Sequence, residues 1–304
     1  MKTLIVVTGP TGSGKTDLAI DIAESLDTEI VSADSRQIFR GIPIGTAVPS
    51  REQLARVHHH FIETLDLDKY YSAAMYEEQA LAVLNNIWDT RDYAVMCGGS
   101  MMYIDAVTKG IDELPTISPE IREKALSIYN KGGIQALIDT LHTLDPAYLD
   151  HCDINNHRRL VHAIEISLQA GVPYSSLRKG QPKPRPFRII KMAIGHTREV
   201  LFDRINRRVD AMIEAGLEQE AMRVYPLRHL NSLNTVGYKE LFAMMDGKMP
   251  RDIAIARIAK NTRVYAKKQL LWLSKDPSVI LLNPSQPLLP QVTKAISNQD
   301  ISLD

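Results

Sequence analysis

The sequence has few cysteines, no long apolar run and no excess of either charge. Only two of the 304 residues are cysteines, Cys97 and Cys152, which excludes a disulfide framework. Their spacing is not that of a metal site, and so few cysteines are typical of proteins in a reducing cytoplasm. No apolar run approaches the roughly 18 residues of a membrane span. The run after Lys2 is also too short for a signal peptide. We therefore expect a cytoplasmic protein with no membrane partner.

The charges balance overall but are segregated along the chain. Lys and Arg number 36, as do Asp and Glu, whereas residues 178–275 carry 21 Lys and Arg against 9 Asp and Glu. A basic segment of this kind is typical of a protein that binds a polyanion. The alternative is that oppositely charged parts of one globule attract each other, and composition leaves both open.

Short β-branched runs alternate with helical patterns in the first hundred residues. Alternation of this kind predicts right-handed crossovers and an α/β fold with a parallel sheet flanked by helices. The predicted strands are Leu4–Thr8, Glu29–Ala33, Tyr93–Cys97, Ile189–Ile194 and Val279–Leu282, and the first two helices are Thr16–Leu26 and Tyr76–Trp88.

The middle of the chain has helical patterns and no strand. Three helices are predicted at Pro119–Tyr129, Ile134–Leu144 and Asn156–Ala170, followed by a proline-rich segment at 181–186 that neither a helix nor a central strand accommodates. We interpret residues 115–187 as an all-helical insertion into a core formed by 1–114 and 188–304. Three sequential segments of one domain are the alternative.

A phosphate-binding motif follows the first strand and opens the first helix. Its backbone N–H groups and the helix N-terminus suit anionic oxygens, its lysine suits terminal phosphates, and its threonine hydroxyl suits Mg²⁺. The residues are Gly9, Pro10, Thr11, Gly12, Ser13, Gly14, Lys15 and Thr16. The motif makes the predicted fold P-loop NTPase-like and predicts a diphosphate or triphosphate ligand, without naming it.

Asp34 and Ser100 follow predicted strands, whose carboxyl ends meet at one edge of a parallel sheet. The strand before Ser100 ends in Gly98-Gly99 and lacks the carboxylate that a nucleotide hydrolase usually has there. Asp34 is instead placed to accept a proton from an attacking group. A strand-end cap is the alternative role for this aspartate.

Basic side chains recur on two predicted helices. Arg204, Arg207 and Arg208 in the helix 202–212 resemble the lid of a small-molecule kinase, where arginines neutralise a leaving group. A solvated basic face is the alternative for this helix. In the second helix, 257–272, a basic stripe with interleaved aromatics suits a nucleic-acid backbone, as a solvated face also would. The stripe comprises Arg257, Lys260, Arg263 and Lys267.

The chain also has three consecutive histidines, at positions 58–60. Adjacent side chains on a helix or strand do not all converge on one ion, and no cysteine or carboxylate cluster stands beside them in the sequence. We therefore do not expect a metal site there.

Eight motifs in order resemble those of bacterial tRNA dimethylallyltransferases, also called tRNA isopentenyltransferases. They are GPTGSGKT at 9–16, SADSRQIF at 32–39, GIPIGTA at 41–47, VHHHFI at 57–62, YSAAMY at 71–76, GGSMMY at 98–103, TVGYKEL at 235–241 and TRVYAKKQLLWL at 262–273. The resemblance implies transfer of a dimethylallyl group from dimethylallyl diphosphate to N6 of the adenine 3′ of the anticodon, in tRNAs reading codons that begin with U. It further implies Mg²⁺ as cofactor and the anticodon stem-loop as partner, with the target base flipped out of its loop.

Site roles carry over from the resemblance by position. Asp34 matches a general base, Lys15 and Thr16 match diphosphate and Mg²⁺ ligands, and Arg208 matches the arginine that stabilises the departing diphosphate. Ser100 stands where the family usually has threonine, and His162 where it often has arginine. The positions matched to tRNA contacts are Asp34, Ser35, Arg36, Gln37, Ser100, Arg122, Arg158, Arg159, Leu160, Val161, His162, Asn234, Thr235, Val236, Gly237, Tyr238 and Lys239, to which the basic stripe adds Arg263 and Lys267.

Two other functions fit parts of the sequence. A P-loop small-molecule kinase would use Asp34 to activate an alcohol but would have no use for the basic stripe. A non-catalytic RNA-binding protein would not need the intact Lys15-Thr16 pair. We expect a monomer, because binding RNA in this way needs no partner subunit.

Overall fold

The computed structural model describes residues 1–301. A six-stranded parallel sheet forms the centre of the larger part, in the order β3-β2-β4-β1-β5-β6. The strands are β1 (Thr3–Thr8), β2 (Ile30–Ser32), β3 (His59–His60), β4 (Tyr93–Gly98), β5 (Arg188–Ile194) and β6 (Val279–Leu282). This confirms the predicted α/β class and parallel sheet.

Fourteen α-helices are assigned within the described residues. They are α1 (Lys15–Ser25), α2 (Pro43–Thr46), α3 (Arg51–Arg56), α4 (Ala73–Trp88), α5 (Met101–Lys109), α6 (Pro119–Leu144), α7 (Pro146–Leu149), α8 (His157–Ala170), α9 (Tyr174–Leu177), α10 (Arg198–Glu214), α11 (Leu217–Val224), α12 (Tyr238–Met245), α13 (Arg251–Leu273) and α14 (Leu288–Ile301). Within residues 1–301, none of these helices is long and apolar enough to cross a membrane.

The central strand β1 is buried along its whole length because both sheet faces are covered. Leu4 and Val6 point into one apolar core, whereas Ile5 and Val7 point into the other. This burial on two faces explains why β1 is a continuous apolar run rather than an alternating one. Because β1, β2 and β4 are parallel, their carboxyl ends lie together at one edge of the sheet.

The edge strand β3 is the one sheet element that the sequence pattern did not predict. Its two residues, His59 and His60, pair with Ile30 and Val31 of β2. A two-residue strand of histidines has neither the length nor the apolar character by which strands are recognised.

The chain divides into two compact units, residues 1–109 with 185–304 and residues 110–184. The second unit begins and ends a few residues before the predicted insertion, and its assigned elements are helices α6 to α9. Two of the predicted helices run as one element, α6, which is interrupted at Gly133 with φ 63° and ψ −154°. This left-handed φ suits glycine, since a Cβ would be strained there. The core of this unit joins Leu137 and Leu141 of α6 to Leu160 and Ile164 of α8.

Candidate active site

The phosphate loop connects the end of β1 to the start of α1. Gly12 and Gly14 have φ values of 81° and 88°, a region that side chains with a Cβ rarely adopt. Space reinforces the requirement, because a Cβ on Gly14 would lie 3.2 Å from a guanidinium nitrogen of Arg204. Backbone conformation is therefore the main reason for the glycines that the motif predicted, and Arg204 adds a smaller steric constraint at Gly14.

Two side chains hold the loop from its outer side. The Nε of Arg204 donates to the Gly12 carbonyl at 2.6 Å, and the Nε2 of His196 lies 2.8 Å from the Ser13 carbonyl. Arg204 therefore holds the loop, whereas the sequence suggested a role in a lid. His196 was not predicted as a site residue, because a single histidine after a strand belongs to no recognisable motif.

Gln269 of α13 joins the phosphate loop to the end of β4. Its Oε1 accepts from the Thr11 N–H at 3.0 Å, and its Nε2 donates to the Gly99 carbonyl at 2.8 Å. A Cβ at position 99 would lie 2.4 Å from that Nε2 and 3.2 Å from the Gly9 carbonyl oxygen, so a larger residue there would displace the Gln269 amide. Gln269 was not predicted as a site residue, because the basic residues beside it in the sequence indicate only the exposed face of the helix.

Asp34 lies two residues after the end of β2, in a turn that Ser100 supports. The Asp34 Oδ1 accepts from the backbone N–H groups of Arg36 at 2.8 Å and Gln37 at 3.3 Å. The Ser100 Oγ accepts from the Ser35 N–H at 2.8 Å. These bonds leave the second carboxylate oxygen of Asp34 available to a reactant, and they give Ser100 a positioning role.

The side chains of Arg36 and Gln37 are tied to backbone carbonyls. Arg36 donates to Asn231 at 2.9 Å and to Ser232 at 3.1 Å, and the Gln37 Nε2 donates to Ala47 at 2.8 Å. Both residues were predicted to contact tRNA. In the structure they fix the turn that follows Asp34.

One cavity of about 370 Å³ contains most of the predicted site. The predicted residues that line it are Thr11, Lys15, Thr16, Asp34, Ser35, Arg36, Gln37, Ser100, Arg208, Asn234, Thr235, Val236, Gly237 and Lys239. Part of its wall is apolar and comes from Val209, Met212, Leu217 and Ile258. The cavity thus combines cations, one carboxylate and an apolar surface.

Lys15 and Arg208 in this cavity are partly shielded from water. Burial lowers the pKa of the Lys15 ammonium, with the charge of Arg208 acting in the same direction and that of Asp34 opposing it. Burial likewise lowers the pKa of Arg208, again against the effect of Asp34. Desolvated cations favour an anionic ligand, because it restores the interactions that water supplied.

A polar atom inside the loop also suits an anion. The Ser13 Oγ is buried and has no hydrogen-bond partner among the described residues. Buried hydroxyls are normally bonded, so such an atom commonly marks the place of a ligand or a water. Next to the loop, burial raises the pKa of the Cys97 thiol to about 11, which keeps it neutral beside Lys15.

Three residues that were predicted to contact tRNA have buried side chains in the structure. The Tyr238 ring is fully enclosed, and its hydroxyl donates to Glu220 Oε1 at 2.5 Å. Leu160 and Val161 lie in the core of the second unit, at 0% and 7% exposure. A motif match does not report which face of a helix a residue occupies, and these three face inward.

Other predicted contacts outside the cavity are accessible. Arg158, Arg159 and His162 are exposed on α8, and Arg122 lies 3.5 Å from Glu165 in the same unit. On α13, Lys267 is exposed, and its Nζ lies 5.6 Å from the centre of the Phe202 ring. The stripe also includes Arg263, which donates to the side chain of Asn206 on α10.

The fold and the loop together define a phosphate-loop α/β protein, in which the loop lies at the carboxyl edge of a parallel sheet beside a cavity with one carboxylate. Comparison with known proteins then places the chain within that class. The model of the IPP transferase family matches residues 37–276, and the chain belongs to this family.

Relatives and solved structures agree with this placement. The chain is 50% identical to tRNA dimethylallyltransferase 1 of Phocaeicola vulgatus, over 93% of this chain and 95% of that protein. It resembles the tRNA isopentenylpyrophosphate transferase of Bacillus halodurans at 30% identity and a TM-score of 0.71, covering 99% of this chain and 96% of the other. It also resembles a eukaryotic dimethylallyltransferase acting on tRNA, at 25% identity and a TM-score of 0.81, covering 99% and 80%. These findings confirm the family resemblance predicted from the motifs.

Proposed function

We propose that the protein transfers a dimethylallyl group from dimethylallyl diphosphate to N6 of the adenine immediately 3′ of the anticodon, in tRNAs that read codons beginning with U. The observation that carries this proposal is the cavity itself. Two desolvated cations, Lys15 and Arg208, share it with the Asp34 carboxylate and an apolar wall. An allylic diphosphate has a matching anion and apolar tail, and an amine acceptor requires a base.

The phosphate loop provides the diphosphate end of the site. Backbone N–H groups of the loop, the Lys15 ammonium and the Arg208 guanidinium would stabilise the charge that grows on the departing diphosphate. The Thr16 hydroxyl lines the same cavity and is the hard oxygen donor that Mg²⁺ prefers. Mg²⁺ held there with the diphosphate oxygens would offset part of the leaving-group charge.

The apolar wall gives the prenyl tail a place. Val209, Leu217 and Ile258 are buried, at 2%, 0% and 2% exposure, and with Met212 they line the cavity. A dimethylallyl tail removed from water gains about 0.8 kcal/mol for each buried methylene equivalent. These side chains also exclude water, which would otherwise compete with the amine for the allylic carbon.

The chemical step exchanges one bond for another. The allylic C–O bond breaks with its electron pair leaving on diphosphate, while the N6 lone pair forms a C–N bond to the same carbon. The Asp34 carboxylate accepts the proton that N6 loses. The bonds from the Arg36 and Gln37 N–H groups keep that carboxylate in place, so little reorganisation accompanies the proton transfer.

Recognition of tRNA requires basic surface and access to one base. Exposed Arg158 and Arg159 on α8 are suited to phosphate contacts, as is exposed Lys267 on α13. The exocyclic amine must leave the stacked anticodon loop to reach a cavity, which is the strategy of enzymes that modify bases. We propose a cytoplasmic monomer, because binding an RNA stem-loop needs no partner subunit; light scattering at working concentration would test the monomeric state.

The test is a reaction of purified protein with Mg²⁺, dimethylallyl diphosphate and unmodified tRNA, followed by nuclease digestion and mass spectrometry of the nucleosides. One prenyl group added to the adenosine beside the anticodon supports the proposal. A tRNA whose target adenosine is replaced by guanosine is the matched control and should gain nothing. Phosphate transfer from ATP to a small alcohol, with no change in tRNA, would instead indicate a kinase.

A further inference from the structure

The amino end of the sheet carries a group of side chains that the transfer reaction does not use. Strands β2 and β3 are parallel, with Ile30 opposite His59 and Val31 opposite His60. Because side chains alternate between sheet faces, His58 and His60 share one face and His59 points to the other. The same register places Glu29 beside His58, where the Ile30 N–H donates to the His58 carbonyl at 2.9 Å.

Three ligand atoms converge on that face. One atom each from Glu29, His58 and His60 lies within 4.8 Å of the other two. The His60 Nε2 and a Glu29 carboxylate oxygen are 2.7 Å apart, and the His58 and His60 ring centres are 4.4 Å apart. The three histidines as a run cannot share an ion, but the first and third can, with a carboxylate that lies far from them in sequence.

The carboxylate is already oriented for such a role. Arg91 lies 3.3 Å from the other Glu29 oxygen and also donates to the Asp27 carbonyl at 2.6 Å. Ligating carboxylates are commonly held by a partner of this kind, which fixes their direction. His58 is exposed and Glu29 and His60 are half-buried, so an ion could enter from solvent while two ligands stay anchored.

We propose that Glu29, His58 and His60 form a binding site for Zn²⁺ that is separate from the prenyl-transfer cavity. Two imidazoles and one carboxylate are a recurring zinc ligand set, which leaves a fourth position for water. Ligands at 2.0–2.1 Å from a tetrahedral ion are about 3.3 Å apart. To reach that spacing on coordination, the His60 Nε2 and the Glu29 oxygen, which are 2.7 Å apart, would separate slightly, and the exposed His58 ring would turn toward them.

The site would brace the edge of the sheet. Strand β3 is short, with two paired residues, and it is followed by a segment that contacts the turn after Asp34. In that segment the Glu63 N–H donates to the Gln37 carbonyl and the Thr64 N–H donates to the Ile38 carbonyl, both at 2.8 Å. A zinc ion joining β2 to β3 would therefore stabilise the support of the turn after Asp34. The ion itself would lie at the amino end of β2, whereas Asp34 lies beyond the carboxyl end.

The test titrates the full-length, metal-free protein with Zn²⁺ alone by isothermal calorimetry, and then measures zinc X-ray absorption on the loaded protein. We expect one ion per chain, two imidazole ligands in the absorption spectrum and a higher Tm with zinc. His58→Ala should weaken binding at least tenfold and abolish the Tm gain, and Glu29→Gln should weaken binding in the same direction.

The neighbouring histidine provides the matched control. His59→Ala should bind zinc as the unmodified protein does, because that ring faces away and its Nδ1 lies 2.8 Å from the Val57 carbonyl. His151→Ala, an exposed change in the second unit, serves the same purpose if the first control folds poorly. Equal zinc affinity in His58→Ala and the control, or no binding by the unmodified protein, would overturn the proposal. Prenylation by His58→Ala without zinc should be unchanged, so this outcome is separable from that of the transferase assay.

Discussion

The Gln269 carboxamide accepts the Thr11 N–H of the phosphate loop at 3.0 Å, across 258 residues of sequence. The same side chain donates to the Gly99 carbonyl, one residue before Ser100, which in turn supports the turn after Asp34. The phosphate loop and the turn after Asp34 are thus held relative to one another through one buried amide on α13.

Gln269→Leu should raise the KM for dimethylallyl diphosphate and lower the free energy of unfolding. The leucine leaves the Thr11 N–H and the Gly99 carbonyl unbonded, at about 1–3 kcal/mol for each buried group. Steady-state kinetics and urea unfolding measure the two effects. Leu271→Ala, an exposed change on the same helix, should alter neither, and an unchanged KM in Gln269→Leu would show that the bridge does not position the loop.

Asp34→Asn should lower turnover while tRNA affinity stays the same. The asparagine Oδ1 can still accept from Arg36 and Gln37, so the turn survives and only the proton acceptor is lost. General base catalysis contributes about 10²- to 10⁴-fold. Single-turnover rates and filter binding separate the two quantities, and wild-type turnover in the variant would remove Asp34 from the mechanism.

Tyr238→Phe should destabilise the protein without weakening tRNA binding. The tyrosine hydroxyl bonds to Glu220, a fully buried carboxylate that also accepts from the Ile44 and Gly45 N–H groups at 2.9 and 2.7 Å. Removing one donor from a buried charged group costs about 1–3 kcal/mol. Lys239→Ala is the comparison at an exposed cavity residue. A loss of tRNA affinity in Tyr238→Phe with unchanged stability would contradict the buried position.

Arg159→Ala should weaken tRNA binding and reduce its dependence on salt. Each lost phosphate contact should lower the slope of log K against log salt by about 0.7–0.9. Binding measured across a salt series gives both values. The control Glu123→Gln, at an exposed residue of α6, should leave both the affinity and the salt slope unchanged. An unchanged slope in Arg159→Ala would mean that the Arg159 side chain contacts no phosphate.

Acid should weaken the contact between β5 and the loop before β6. Burial would raise the pKa of Asp276, but hydrogen bonds from Lys191 at 2.7 Å and from Ser278 outweigh it and lower the pKa to about 2. When the pKa of a carboxyl is lower in the folded protein than in the unfolded chain, that carboxyl stabilises the fold at any pH above its unfolded-state pKa. This stabilisation is lost as the pH falls from the unfolded-state pKa through the folded-state pKa. We expect a loss of about 2 kcal/mol between about pH 4 and pH 2.

Unfolding measured from pH 7 to pH 2 tests this pair. Asp276→Asn should be less stable at pH 7, since Lys191 stays buried without its partner, and its decline below pH 4 should be shallower. Exposed Glu78→Gln should follow the unmodified protein. Parallel acid curves for Asp276→Asn and the unmodified protein would show that this carboxyl does not set the decline.

Local patterns were sufficient for the sheet and for the centre of the site. The phosphate loop is contiguous, with a spacing set by backbone geometry, and Asp34 and Ser100 follow strands whose parallel arrangement brings their ends together. The runs of β1, β2, β4, β5 and β6 were all recognisable, because their middle residues are apolar. The exception is Lys191 of β5, whose charge is paired with Asp276. The family motifs added Arg208, which helical spacing alone left ambiguous.

The sequence by itself determined the parallel α/β core, the phosphate loop and the carboxylate beside it, since each depends on residues close together in the chain. Tertiary structure alone decided that Gln269 and His196 hold the loop, that Tyr238, Leu160 and Val161 face inward, and that Glu29 joins His58 and His60. These roles depend on packing between elements tens to hundreds of residues apart. A helix or strand shows its own period in the sequence, but it does not show which neighbour its buried side will meet.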